Sequence, residues 1–394
     1  MSAFTNSYIY FDNAATTFPK PAKIVAAVVE YMTAIGGNPG RSGHPLSVRA
    51  DEIVFTARQA ISELVSLKNP MHVIFCANAT EALNLAILGL ARQGDHVITT
   101  SMEHNSSIRP LKHLEQAGKI TLSIAEFSAD GMMNAAALES LVTPATRMMV
   151  INHGSNVTGT VQPLKAVGAF CKKHNIILIV DGAQTCGVIP IHMQADGIGL
   201  LAFSGHKGLY GPTGTGGLVI ADDFDISALQ PLKFGGTGSS SDKIEQPDFL
   251  PDRYESGTLN VAGLSGLAAG LAFITSEPDG ISSICQRKKE LAGYFLDRAG
   301  REITGFTTYA PPPALQTGVV AFNIQGMSSS KIAYLLAEKY TILCRAGLHC
   351  SPLAHKTMGT FPAGAVRFSF GIFNTPGEID IALEALKVIQ HEAA

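Results

Sequence analysis

Between Val73 and Ile220 short apolar runs alternate with helix-like stretches, and this rhythm limits the possible folds more than any other feature of the chain. Val73-Ile-Phe-Cys76, Val97-Ile-Thr-Thr100, Met148-Met-Val-Ile151 and Leu218-Val-Ile220 read as strands, as do residues 120–125, 176–180 and 199–204. Helical stretches at about 80–91, 107–116, 135–141 and 163–173 fall between them. Strands alternating with helices at this spacing predict an α/β fold with a mainly parallel, seven-stranded sheet and crossover helices. The runs are apolar throughout rather than at every second position, so both faces of the sheet are expected to be covered.

The flanking segments follow other patterns. Tyr8 to Thr17 reads as an extended entry and a polar turn, and Pro19 and Pro21 lead into a helix over 22–35. A breaker run from Gly36 to Gly43 separates it from a longer helix over 46–67. Residues 234–252 are rich in Gly, Ser, Asp and Pro and read as an exposed domain junction. Beyond them come helices at 261–276 and 280–299, strands at 303–308, 319–324, 341–345 and 365–370, and helices at 329–339 and 376–391. That mixture predicts a smaller α+β domain. The expected division is a large domain over 15–255 and a small one built from 1–14 and 256–394.

Composition narrows the function. At 394 residues, 46% hydrophobic and 15% charged, the chain is globular material with length for a sizeable core. A net charge of -3 without a Lys/Arg run leaves no electrostatic footprint for nucleic acid. Six cysteines with no C-x-x-C argue against a disulfide scaffold or a structural zinc site, so no metal is expected and a reducing cytoplasm is the expected compartment. Val261 to Ile274 is the most membrane-like stretch, too short and glycine-rich to span a bilayer. Met1 to Asn6 lacks a basic region followed by an apolar one, so no secretory signal is expected.

Chemistry collects where the predicted strands end. In Gly199-Leu-Leu-Ala-Phe-Ser-Gly-His-Lys207 a lysine sits just past a buried strand, where ligands gather in open α/β sheets. Burial lowers a lysine's pKa and makes its amine nucleophilic. Val180-Asp181 ends the most apolar strand in a carboxylate, which alone would be a turn-forming Asp. Together the two fit pyridoxal 5'-phosphate, which needs a lysine for its aldehyde and an acid for its ring nitrogen. Asn78-Ala-Thr80-Glu81 opens a helix directly after a strand, a site for phosphate as well as for an N-cap. His104 follows the next strand, where an imidazole can stack on the pyridine ring. Ser204 and His206 offer hydrogen bonds to phosphate, and Asn156 an amide to the ring hydroxyl or the substrate.

Phe11-Asp-Asn-Ala-Ala-Thr-Thr17, Asn78-Ala-Thr-Glu81, Met102-Glu-His104, Val180-Asp-Gly-Ala-Gln184 and Ser204-Gly-His-Lys207 stand in that order along the chain. The set resembles the successive motifs of the class V aminotransferases among the fold-type I pyridoxal-phosphate enzymes, over about residues 8–385. The resemblance implies that Lys207 holds the cofactor aldehyde, Asp181 pairs the ring nitrogen and His104 stacks on the ring. It implies that Gln184 meets the ring oxygen, with Thr80, Ser204 and His206 on the phosphate. It also implies a homodimer in which Thr258, in Glu255-Ser-Gly-Thr258, reaches the partner's phosphate site. Ala79 departs from the hydroxyl residue usual in the most similar group, which takes one hydroxyl from the phosphate site and leaves backbone amides to compensate.

Cys344-Arg-Ala-Gly-Leu-His-Cys350-Ser-Pro352 puts a cysteine beside a histidine in a Gly/Pro-bounded loop. It resembles the active loop of the cysteine desulfurases, and its short span to Arg367 resembles the SufS-like group. The resemblance implies L-cysteine as substrate, its carboxylate on Arg367, its sulfur taken by Cys350 as a persulfide, L-alanine as product and a sulfur-acceptor protein as partner. Selenocysteine as substrate, or transamination or kynureninase-like cleavage in the same family, are the alternatives. A thiol hydrolase using Cys350 and His349 lacks an orienting third group. A nicotinamide site at Gly211 to Gly217 lacks the G-x-G-x-x-G spacing.

Overall fold

The computed structural model describes residues 8–40, 43–240, 242–278 and 280–393. The readings of Met1 to Asn6 and of Arg41 and Ser42 lie outside the described residues. In chain order the first elements are β1 (Ile9–Tyr10), α1 (Ala22–Glu30), α2 (Pro45–Leu64), β2 (Val73–Cys76), α3 (Ala79–Leu90), β3 (Asp95–Thr100) and α4 (Asn105–Gln116). There follow β4 (Ile120–Ala125), α5 (Ala135–Glu139), β5 (Thr146–Asn152), α6 (Leu164–Lys173), β6 (Ile177–Asp181), β7 (Leu200–Ser204) and β8 (Gly216–Ile220). The remainder is α7 (Val261–Ser276), α8 (Ile281–Glu302), β9 (Phe306–Thr308), β10 (Val319–Ile324) and α9 (Ser329–Tyr340). It ends with β11 (Ile342–Leu343), β12 (Arg345–Gly347), α10 (Pro352–Thr357), β13 (Ala365–Ser369) and α11 (Pro376–Ala393).

Strands β2 to β8 form one seven-stranded sheet in the order β2-β8-β7-β6-β5-β3-β4. The five strands from β7 to β4 run parallel, and β8 is antiparallel to both of its neighbours. Residues 205–215 are too few for a crossover helix, so the chain must turn back on itself there. Both faces are covered, as the unbroken apolar runs predict. On β5, Met149 and Ile151 join the cluster under α2 and α7, while Met148 and Val150 join the cluster under α3 and α4.

A second, four-stranded antiparallel sheet, β12-β13-β10-β9, packs on α8, α9 and α11 around Phe295, Phe322, Phe368 and Phe370. Two expectations change here. The helix after Gly280 runs on to Glu302, so the strand expected from 303 begins only at Phe306. The stretch 341–345 is two strands: β11 pairs with β1, and β12 pairs with β13, because each half finds backbone partners in a different sheet. Helix α7 lies beyond the boundary expected at 255, yet Val261, Leu264, Leu267, Leu271 and Ile274 share the cluster of α2 and the large sheet. No described helix is long and apolar enough to cross a membrane.

Candidate active site

Parallel strands deliver their carboxyl ends to one edge of the sheet, and the predicted residues meet there. A cavity of about 290 Å³ is lined by Asn78, Ala79, Thr80, His104, Asn156, Asp181, Gln184, Ser204, His206 and Lys207. Asn152, Gly154 and Ser106, which sequence reasoning did not single out, also line it.

The Lys207 turn is set by close approach. Gly205 faces Thr215 so tightly that a Cβ would stand 2.1 Å from its Oγ1, and no larger residue fits. The Asp12-to-Thr17 motif closes over this turn. The His206 carbonyl accepts from Thr17 N at 3.1 Å, Thr16 Oγ1 at 3.2 Å and Lys20 Nζ at 2.8 Å. Thr17 Oγ1 donates to the Lys207 carbonyl at 2.7 Å. The backbone of the lysine is thereby fixed while its amine is left to the cavity. Burial lowers the Lys207 pKa, and the Asp181 carboxylate works against that shift.

His104 is the N-cap of α4: its Nδ1 accepts from Ser106 N at 3.1 Å. That bond assigns the ring proton to Nε2. Burial brings the His104 pKa down to about 4, so the ring is neutral at pH 7. Ser106 Oγ lies 2.7 Å from Thr80 Oγ1, which ties the caps of α3 and α4 together. At α3, Asn78 Oδ1 accepts from Glu81 N and Ser204 Oγ from Ala79 N. Neither bond uses the Thr80 N–H, and the positive end of the helix faces the cavity. His206 Nδ1 is buried with no protein partner, and burial brings that ring down to about 4 as well. A small polar cavity with an amine, a carboxylate, a helix N-terminus and an orphaned imidazole nitrogen fits an anionic cofactor with an aldehyde and a ring nitrogen.

Two of the predicted residues also make contacts that the sequence did not announce. Gln184 Nε2 donates to the Ala14 carbonyl at 2.9 Å, so half of its amide is spent on the entry segment. Asn156 holds the cysteine loop: its Nδ2 donates to the His349 carbonyl at 2.6 Å and its Oδ1 accepts from Ser351 Oγ at 2.8 Å. With Asn105 N donating to the Cys350 carbonyl at 2.8 Å, these bonds hold His349 and Cys350 in consecutive left-handed conformations (φ 50° and 59°). Such geometry is costly for residues other than glycine and persists only where neighbours impose it.

Cys350 is exposed and lines an adjoining groove together with Thr80, His104 and Ser106, which also line the Lys207 cavity. Arg345 Nη2 lies 3.5 Å from Cys350 Sγ, the positive neighbour that thiolate chemistry needs. Its signal in the sequence was only its position five residues before the cysteine. His349 is turned away: it is buried, stacked on His355 with Nδ1 3.2 Å from that ring's Nε2. Arg367 does not line the cavity. It is 1% exposed, with Nη2 on Asp12 Oδ1 and Nη1 on the Asn156 carbonyl, and its Nε has no partner.

Thr258 lies outside the cavity, on surface clefts it shares with Glu255 and Gly257. The segment is anchored through Glu255, whose two oxygens meet Arg58 at 2.9 and 2.8 Å and which also accepts from Phe75 N. Both side chains of that pair are buried. Glu255→Ala should therefore cost about 3–5 kcal/mol by stranding Arg58 without a counter-charge. A denaturant midpoint checks this, and a midpoint like that of the unaltered protein would refute it.

The model of the family described as aminotransferase class-V matches residues 9–382. The chain is 32% identical over 387 residues to a probable cysteine desulfurase of Methanothermobacter thermautotrophicus, covering 97% of this chain and 94% of the relative. Against a cysteine desulfurase of Yersinia pestis it is 29% identical, covering 97% and 93%. The apo structure of a cysteine desulfurase from Thermococcus onnurineus superposes with a TM-score of 0.91 at 29% identity, over 98% of this chain and 96% of that one. The cysteine desulfurase CsdA from Escherichia coli, in its S-sulfonic acid form, gives 0.88 at 27% identity, over 99% and 96%. With its strand-end lysine, aspartate and histidine on one sheet edge and this match over nearly its whole length, the chain belongs to the aminotransferase class-V family.

Proposed function

We propose that the protein is a pyridoxal 5'-phosphate-dependent cysteine desulfurase that converts L-cysteine to L-alanine and leaves the sulfur on Cys350 as a persulfide. The observation that carries this is Cys350 beside Arg345, on a groove that shares Thr80, His104 and Ser106 with the Lys207 cavity. Lys207, Asp181, His104, Gln184, Ser204, His206 and the α3 N-terminus with Ala79 and Thr80 are the residues that would hold the cofactor. Pyridoxal phosphate supplies, when bound, an aldehyde that condenses with amines and a ring that takes up electrons released at the substrate's α-carbon.

The chain's own groups do the rest. Asp181 would keep a proton on the cofactor's ring nitrogen, and neutral His104 would present its face to that ring while its Nδ1 stays on the Ser106 amide. Lys207, its amine favoured by burial, takes the α-proton and returns a proton. Arg345 stabilises the Cys350 thiolate, which attacks the substrate's sulfur; the carbon–sulfur bond breaks and the carbon is protonated to alanine. Arg367, by sharing or exchanging its Asp12 contact, is the group for the substrate carboxylate.

On the same reading residues 15–255 with α7 carry the cofactor, and residues 1–14 and the rest of 256–394 carry the cysteine loop. The working unit is a cytoplasmic homodimer with Thr258 reaching the partner's phosphate site, and an acceptor protein removes the sulfur. Incubation with L-cysteine should yield one alanine for each sulfane sulfur bound, with that sulfur on the peptide containing Cys350. Alanine formed without any Cys350 persulfide would refute the reading.

A further inference from the structure

Helices α3 and α4 lie side by side, and a groove of about 530 Å³ runs between them to Cys350. Helical spacing builds its walls: Thr80, Asn84 and Leu88 on α3, and Asn105, Arg109 and His113 on α4, each four residues apart. Eight residues of helix rise about 12 Å. That is the span of roughly four residues of extended chain. The groove is therefore shaped for a short peptide, with the cysteine at one end.

Its charge is one-sided. No Asp or Glu lines it. Arg109 is exposed and has no ion pair or hydrogen bond among the described residues, and the guanidinium of Arg345 has only the Cys350 sulfur. Each of the other described arginines is held by a carboxylate or a backbone carbonyl. Among the described residues Arg109, on the groove wall, is thus the arginine left without a partner, and Arg345 has only the sulfur of Cys350, an exposed cysteine on the same groove. A guanidinium without a protein partner is a recognition group for carboxylates, and a cation near a reacting centre steers anions to it.

We propose that this groove receives the sulfur acceptor as a short, extended, acidic segment of a protein, its cysteine at Cys350 and a flanking carboxylate on Arg109. The proposal rests on the reading of Cys350 as a sulfur carrier. The acceptor thiolate attacks the outer sulfur of the Cys350 persulfide, the sulfur–sulfur bond breaks and Cys350 leaves as a thiolate beside Arg345. The acceptor becomes the persulfide, and the exchange needs no outside oxidant or reductant.

Capped tripeptides Glu-Cys-Glu, Gly-Cys-Gly and Lys-Cys-Lys test this as acceptors for holoenzyme loaded with L-cysteine, with rates divided by thiolate concentration. The acidic peptide should discharge Cys350 about tenfold faster than the basic one, an advantage that shrinks with salt and is lost in Arg109→Glu. A second readout needs no turnover: the rate of alkylation of Cys350 by iodoacetate relative to iodoacetamide should fall about fivefold in Arg109→Glu. Equal discharge to the three peptides overturns the proposal, as does an acidic preference or an alkylation ratio that survives Arg109→Glu. Mercaptoacetate acting as fast as the acidic peptide overturns it in favour of a low-molecular-weight acceptor. If Cys350 never loads, the underlying function fails instead, and the two failures are told apart.

Discussion

Lys207→Ala should abolish alanine formation from L-cysteine, a loss of at least about 10⁴-fold, and should remove the bound cofactor's visible absorption band at the same time. On the proposed function one amine both holds the cofactor and moves the α-proton, so both functions should go together. The turn itself should survive, because its backbone is held by Thr16, Thr17 and Lys20 through the carbonyls of residues 206 and 207. A second amine is close by. Lys20 is brought down to about 8 by burial, but its Nζ is committed to the His206 carbonyl. Borohydride reduction of the holoenzyme followed by peptide mapping should therefore fix the cofactor on Lys207. A cofactor mapped to Lys20, or a Lys207→Ala protein that keeps the band and its turnover, would remove the centre of the assignment.

Cys350→Ala should separate the two halves of the chemistry. The visible band should stay, since Cys350 lines the neighbouring groove rather than the Lys207 cavity. Turnover of L-cysteine should fall by more than about 10³-fold, the scale of losing a covalent nucleophile. No nearby cysteine is suited to replace it: burial raises the thiols of Cys344, Cys186 and Cys171 to about 12, which keeps them protonated. Alanine released from L-cysteine and from selenocysteine, with and without Cys350, measures the effect. Full turnover of L-cysteine in the variant would end the desulfurase reading, whereas activity kept only on selenocysteine would assign the enzyme to selenium.

Lys207, Asp181, His104, Thr80 and Ser204 were legible from local pattern because each follows an apolar run, and parallel strands bring such positions to one edge whatever their order. The N-cap at Asn78 and the seven-stranded sheet were legible for the same reason: capping and strand period are properties of neighbours in sequence. Long-range pairing was not. Nothing local says that Arg367 gives one arm to Asp12 and another to the Asn156 carbonyl, or that Asn156 spends its amide on the cysteine loop. The break at Cys344, which pairs Ile342 and Leu343 with β1 and Arg345 with β13, follows from competition between two sheets for one stretch of backbone.

The sequence by itself thus determined the α/β layering, the sheet edge at which the strand-end residues meet and most of the side chains that line its cavity, because hydrophobic period and strand-end position are local. Only the tertiary structure decided which cation stands beside Cys350, which described arginine is left without a partner and where the α3–α4 groove leads. Those outcomes depend on distances across the fold, where a charge settled by burial and partner has no period along the chain to announce it.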